Sequence, residues 1–138
     1  NEKNFCFTYG DGLGNVNIKK SIDFHIKHNK LATMTAAYPP GRFGSLKIKT
    51  NLITEFKEKP QGDGSLINIG FFVLKNKIFE YLENEQTVWE QEPLQKLANE
   101  GQLMAFKHDE FWRPMDTLRD KNALEEMWAN SKAPWKVW

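Results

Sequence analysis

Leu66-Ile67-Asn68-Ile69-Gly70-Phe71-Phe72-Val73-Leu74 is the stretch on which the fold turns. Apolar residues occupy both of its alternating faces, the pattern of a strand covered on both sides and therefore central in a sheet. Upstream, Gln61-Gly62-Asp63-Gly64-Ser65 reads as a loop and Pro60 closes a run of strand alternation. That run comprises Leu46-Lys47-Ile48-Lys49 and Leu52 to Phe56, with Thr50-Asn51 where a hairpin turn belongs. Leu31 to Tyr38 is a further strand, ended by Pro39-Pro40-Gly41. Before it, Ile18, Ile22 and Ile26 recur at helical spacing behind an N-cap residue, Asn17, and predict an amphipathic helix from Ile18 to His28. Phe5 to Tyr9 is a first strand that stops at Gly10-Asp11-Gly12 and its loop.

Downstream, Ile78, Tyr81 and Leu82 fit a short helical segment, and Glu92 to Asn99 a second helix with Gly101 at C′. Leu103 to Phe106 is a short strand. Thr117 with Asp120 resembles a capping box for a helix running to about Asn130. Strands and helices alternating around a meander predict an α/β domain with a mixed, mostly parallel sheet flanked by helices.

The chain has 138 residues, 40% of them hydrophobic, which suits one globular core rather than disorder. Nineteen Lys and Arg against eighteen Asp and Glu leave a formal charge of +1 without long like-charge runs, so no nucleic-acid or membrane-surface footprint is present. One cysteine, Cys6, excludes an intrachain disulfide and a C-x-x-C pair, and a reducing, cytoplasmic setting is expected. No apolar stretch approaches the ~18 residues of a membrane helix. The start at Asn1, without a signal peptide or an initiator Met, leads us to expect a fragment of a longer protein.

Chemistry could sit in three places. Gly10-Asp11-Gly12-Leu13-Gly14-Asn15 fails the dinucleotide fingerprint, with Asn15 at the third glycine, and fails the EF-hand, with Val16 and Ile22 at its glycine and glutamate places. What remains is a carboxylate at the end of a strand, flanked by glycines that admit phosphates to the backbone, or an Asp that serves only its turn. Asp116, before a helix, is a hard-cation ligand or a cap. Phe56-Lys57-Glu58-Lys59-Pro60 is a binding pair or a solvated strand edge.

Tyr9-Gly10-Asp11-Gly12, Pro39-Pro40-Gly41-Arg42-Phe43-Gly44, Phe56-Lys57-Glu58-Lys59-Pro60, Ile67-Asn68-Ile69-Gly70-Phe71-Phe72, Trp89-Glu90-Gln91-Glu92-Pro93-Leu94 and Phe111-Trp112-Arg113-Pro114-Met115-Asp116-Thr117 stand in this order. Together they resemble the sugar-1-phosphate nucleotidylyltransferases, and the last two resemble the glucose-1-phosphate cytidylyltransferase branch. The resemblance implies a Rossmann-like nucleotide-diphospho-sugar transferase fold and cytidylyl transfer from CTP to glucose 1-phosphate, giving CDP-glucose and pyrophosphate. It further implies Asp11 and Asp116 as Mg²⁺ ligands and catalytic groups, Lys59 as the cation on the sugar phosphate, and Glu58 as acceptor for glucose hydroxyls. Gly10 and Gly70 would let substrate approach the backbone, Trp112 would flank the sugar, and Arg42 would hold an anion or lie on the surface.

The family's Gly-rich nucleotide-cradling signature is absent from residues 1–138, and Ile69 stands where a smaller residue is expected. The resemblance therefore implies that 1–138 is the C-terminal, sugar- and metal-binding part, inactive without its N-terminal partner half. A thymidylyl- or uridylyltransferase, or a non-catalytic sugar-phosphate-binding or oligomerisation module, is the alternative. Trp135 and Trp138, in a hydrophobic tail, suit docking in a homo-oligomer. Of the remaining residues, Cys6 is expected to be buried, and His25, His28 and His108 to face solvent.

Overall fold

The structure is a computed structural model that describes residues 3–39 and 66–138, and the backbone of 45–49 and 52–57. Strand β1 (Asn4–Thr8) is followed by the short β2 (Gly12–Gly14), helix α1 (Ile18–His28) and β3 (Ala32–Ala37). The hairpin β4 (Ser45–Lys49) and β5 (Leu52–Lys57) leads to β6 (Ile67–Lys75) and a 3₁₀ segment, Asn76–Tyr81. Helix α2 (Glu92–Asn99), β7 (Leu103–Lys107), β8 (Trp112–Pro114) and α3 (Leu118–Ala129) complete the order.

The main sheet has the order β1-β6-β3-β7, with β6 internal as its two-faced apolar pattern requires. Phe72 and Leu74 of β6 join Ala32, Ile78 and Leu97 on one face, beneath the 3₁₀ segment and α2. Ile69 and Phe71 turn to the other face, with Val16, Ala37, Phe106 and Trp112. Burying such side chains contributes roughly 1.5–3 kcal/mol each, so β6 supplies apolar contact to both halves of the core.

The sheet is mixed, as expected, but its parallel majority is not found among the described strands. β6 runs antiparallel to both β1 and β3, and only β3–β7 is a parallel pair. β1, β3 and β7 do run in one direction. The long β6 enters between β1 and β3 from the opposite end, which makes two of the three ladders antiparallel.

Local signals hold well. Asn17 caps α1 by accepting from Lys20 N–H at 2.9 Å. Thr117 caps α3 by accepting from Asp120 N–H at 3.2 Å. Gly101, at φ +63°, follows α2. Two strands were not foreseen: β2 lies within the predicted loop, and it pairs with β8 antiparallel. The expected hairpin is present in β4 and β5, while its turn, Thr50-Asn51, lies outside the described residues.

Helix α1 differs from the expectation in its inward face. Ile18 and Ile26 are exposed, whereas Ser21 and His25 are buried. The reason lies beneath the helix, where β3 presents the buried hydroxyl of Thr33, whose isolation would cost about 1–3 kcal/mol. His25 Nδ1 and His28 Nε2 reach that hydroxyl at 2.8 and 2.7 Å. Lys30 N–H donates to His28 Nδ1 at 2.9 Å, so the His28 proton sits on Nε2 and is donated to Thr33. The Thr33 hydroxyl accepts that proton and also pairs with His25 Nδ1, as donor or acceptor according to the His25 tautomer. His25 and His28 are therefore structural and not solvent-facing. Burial, reinforced by His28 and Lys75, pushes His25 down to about 4. His108 is likewise buried, its Nε2 3.0 Å from Phe111 O. Cys6 is exposed rather than buried, because β1 is a sheet edge.

The ladder between β3 and β6 shifts register between Met34 and Ala36, opposite Gly70. Gly70 has φ +79°, and a Cβ there would stand 2.6 Å from Tyr9 Cδ2. Only glycine combines this backbone conformation with so close an aromatic ring.

Two outcomes follow from this packing. Gly70→Ala should destabilise the chain by at least about 2 kcal/mol, seen as a fall in melting temperature of about 5 °C or more; an unchanged melting temperature would contradict the packing. For His25, the folded pKa lies below the unfolded value of about 6.5, so its stabilisation is complete above pH 6.5 and is lost as pH falls toward 4. Urea midpoints should drop between pH 7 and pH 5 in the natural chain and much less in His25→Gln. An equal drop in both would assign the pH dependence to other groups.

Candidate functional site

The site is built where the carboxyl ends of β1, β3 and β7 meet the start of β6. β1 runs into Tyr9, whose backbone N–H donates to Gly70 O at 2.9 Å. Gly10 follows with open space on its Cβ side, so a ligand could lie against the backbone here. Asp11 comes next, and its carboxylate is exposed.

Asp116 reaches the same place from a distant part of the sequence. β8 pairs with β2 in the register Gly12↔Pro114, and Met115 N–H donates to Asp11 O at 2.7 Å. Asp11 and Asp116 are therefore brought together by main-chain bonds, and Asp116 is exposed too. Capping does not explain Asp116, because Thr117 occupies the N-cap position of α3. The Thr117 hydroxyl also donates to Asp120 Oδ2 at 2.8 Å, and the Asp120 carboxylate lies 3.9 Å from Arg113 Nε. These contacts fix the segment on both sides of Asp116.

Trp112 forms the floor. A Cβ on Gly12 would stand 3.1 Å from Trp112 Nε1, and one on Gly14 would stand 3.4 Å from Trp112 Cδ1, so both β2 glycines let the indole lie against the strand. Trp112 also packs with Val16, Ala37 and Ile69. The ring touches the core and the underside of the Asp11 loop. Ile69 likewise belongs to this core cluster, which accounts for a large residue at that position. The Cβ side of Gly70 is taken up by the Tyr9 ring, so the glycine serves the bulge and the ring before any ligand.

Sequence reasoning missed Tyr9, Asn68 and Glu90 as one unit. Asn68 Nδ2 donates to Tyr9 Oη at 3.2 Å, and Asn68 Oδ1 accepts from Gly70 N–H at 2.9 Å. Burial and a hydrogen bond to Glu90 push the Tyr9 phenol up to about 12, which keeps it a donor at any working pH. The signal was present, since each of these residues lies inside a quoted segment, but the contacts join positions far apart in sequence. His108 was missed in the same way: its N–H donates to Ala36 O at 2.9 Å and its ring holds Phe111 O, which aims Trp112 at β2.

Glu58, Lys59 and Arg42 lie outside the described residues. Among the described residues no cluster of three or more His, Cys, Asp or Glu side chains could hold a metal. The main chains of Asp11 and Asp116 meet at one strand end, and their carboxylates offer the hard oxygen donors that would suit Mg²⁺ completed by phosphate oxygens and water. The donor set fits that ion.

The Nucleotidyl transferase family model matches residues 1–125. Glucose-1-phosphate cytidylyltransferase of Salmonella typhimurium is 57% identical over 134 residues, covering 97% of this chain and 52% of that protein. Mannose-1-phosphate guanyltransferase of Saccharomyces cerevisiae is 31% identical over 121 residues, covering 83% of this chain and 34% of that protein. In fold, the crystal structure of HddC from Yersinia pseudotuberculosis matches with a TM-score of 0.67 at 22% identity, over 92% of this chain and 56% of that one. The chain spans about half the length of the glucose-1-phosphate cytidylyltransferases it matches. With a family model that covers most of its residues, a sheet of the same fold and relatives that transfer nucleotidyl groups, the chain belongs to the nucleotidyl transferase family.

Proposed function

We propose that this chain is the sugar- and metal-binding half of a glucose-1-phosphate cytidylyltransferase, which transfers a cytidylyl group from CTP to glucose 1-phosphate and releases pyrophosphate. The observation that carries the proposal is the meeting of Asp11 and Asp116 through β2–β8 pairing at an open, glycine-flanked strand end. The 57% identity to the Salmonella typhimurium enzyme supports the choice of substrates.

In this reading a phosphate oxygen of glucose 1-phosphate attacks the α-phosphorus of CTP while the bond to pyrophosphate breaks. The work of the protein is alignment and charge neutralisation, without a covalent nucleophile. Asp11 and Asp116 hold Mg²⁺, which when bound supplies positive charge to the phosphates. Gly10 leaves room for phosphate oxygens against the backbone. Lys59 brings a compact cation to the sugar phosphate, and Glu58 accepts hydrogen bonds from the sugar hydroxyls. Trp112 and Gly70 keep the loop and the bulge in register around them. The nucleotide-cradling loop comes from the other half of the polypeptide, and the complete enzyme works in the cytoplasm as a homo-oligomer.

Assayed with CTP, glucose 1-phosphate and Mg²⁺, the 138-residue chain alone should release no pyrophosphate, and the complete polypeptide should do so. Turnover with dTTP or UTP in place of CTP would move the protein to another branch, and no turnover with any nucleotide would favour a binding module. In the complete enzyme, Asp11→Asn and Asp116→Asn should each lower turnover by about 100-fold or more, equivalent to about 3 kcal/mol, with the melting temperature nearly unchanged. A loss of stability with activity retained would make either residue structural. Lys59→Met should raise KM for glucose 1-phosphate and lower kcat while leaving KM for CTP nearly unchanged; equal losses for both substrates would return Lys59 to the surface.

A further inference from the structure

Tyr9 and Trp89 lean on the same two rings. Phe7 and Phe72 stand 5.8 and 5.7 Å from the Tyr9 ring, and 6.4 and 5.7 Å from Trp89, centroid to centroid. Both side chains thereby pack on the core cluster under α2. The residue after Trp89, exposed Glu90, is delivered from the loop before α2 to the Tyr9 hydroxyl, with which it hydrogen-bonds. Proton accounting then fixes every direction in the group. Gly70 N–H can meet only the oxygen of the Asn68 amide, at 2.9 Å, so Asn68 Nδ2 faces Tyr9 Oη as donor, at 3.2 Å. A carboxylate only accepts, so the phenol proton goes to Glu90. Among the described residues, the second N–H of Asn68 Nδ2 has no acceptor. It lies beside the phenol oxygen, at the strand end where Gly10 leaves open space.

From this arrangement we infer that Glu90 and Tyr9 are positioning residues, which aim the remaining N–H of Asn68 at one hydroxyl of the sugar and so set which sugar 1-phosphates the site accepts. The inference rests on reading the chain as part of a sugar-1-phosphate nucleotidyl transferase. Charge selects the group that is read. The remaining donor stands beside a neutral phenol oxygen with a spare lone pair, and the Glu90 carboxylate lies behind it. An alcohol, which accepts and donates at once, suits that setting, whereas a phosphate would be repelled by the carboxylate. Glu90 acts through Tyr9. By taking the phenol proton, it keeps the phenol oxygen open to the Asn68 amide; without it the proton can turn toward Asn68 Nδ2, and the amide is held by Gly70 N–H alone.

The test uses the complete enzyme and measures, by calorimetry, the Kd of glucose 1-phosphate and of its analogues that each lack one ring hydroxyl, alongside kcat and KM for both substrates. Glu90→Ala and Tyr9→Phe should each weaken glucose 1-phosphate about tenfold, with KM for CTP changed by less than about twofold. For one analogue the affinity lost on removing the hydroxyl from the natural enzyme's ligand should shrink at least about fivefold in both variants, because the contact to that hydroxyl is already loose. Glu90→Gln, whose amide oxygen still accepts from the phenol, should recover most of the affinity. Glu90 is exposed, so the melting temperature of its variants should stay within about 2 °C. Unchanged affinity in Glu90→Ala, or the same loss with every analogue, overturns the inference. So does a loss in Glu90→Gln as large as in Glu90→Ala, which would make Glu90 a remote charge and not a hydrogen-bond partner. Weakened sugar-phosphate binding in Glu90→Ala, in an enzyme that turns over no nucleotide, overturns the catalytic reading and leaves the inference standing; no binding of any sugar 1-phosphate overturns both.

Discussion

Burial of β6 on both faces, together with its hydrogen bonding on both edges, is the constraint on which the rest of the structure depends. Its alternating side chains divide the core into two clusters, one under α2 and the 3₁₀ segment and the other around Val16 and Trp112. Because β6 lies between β1 and β3, it sets the position of β1, and β1 carries Tyr9, Gly10 and Asp11 to the open end of the sheet. The bulge at Gly70 gives β6 the local bend that lets the Tyr9 ring lie on the strand. A core residue, a glycine and the carboxylate of Asp11 are thus linked through one strand.

The site is assembled by main-chain bonds more than by side chains. β2 and β8 are three residues each, too short to be stable as an isolated pair, and they are held in place from outside. His108 fixes the turn before β8, Trp112 packs beneath β2, and the Thr117–Asp120 cap anchors the residues that follow Asp116. Asp11 and Asp116 are thus carried on main chain held by contacts from three sides.

The layer beneath α1 follows a different rule. Where β3 places threonine hydroxyls under a helix, the helix turns its polar residues inward, and two neutral histidines satisfy one buried hydroxyl. The isoleucines displaced from that face become surface, and one of them, Ile18, borders the uncovered cleft at β1. Hydrogen-bond accounting in the core therefore sets which apolar groups are left at the surface.

Signals that act within a few residues were legible in the sequence: the caps at Asn17 and Thr117, the glycine after α2, the limits of α1 and the two-faced pattern of β6. They were legible because capping, turn formation and strand alternation are local interactions, repeated in every fold that uses them. The candidate residues Asp11 and Asp116 were also visible, each within a recognisable segment. What tertiary structure alone decided was everything set by partners distant in the chain. The direction of β6 between β1 and β3, the β2–β8 pairing that unites the two carboxylates, and the Tyr9–Asn68–Gly70 contact depend on register across tens of residues. The inward face of α1 was misread for the same reason: periodicity reports how apolar a face is, and the helix answered instead to the unpaired hydroxyl of Thr33 on the strand beneath it.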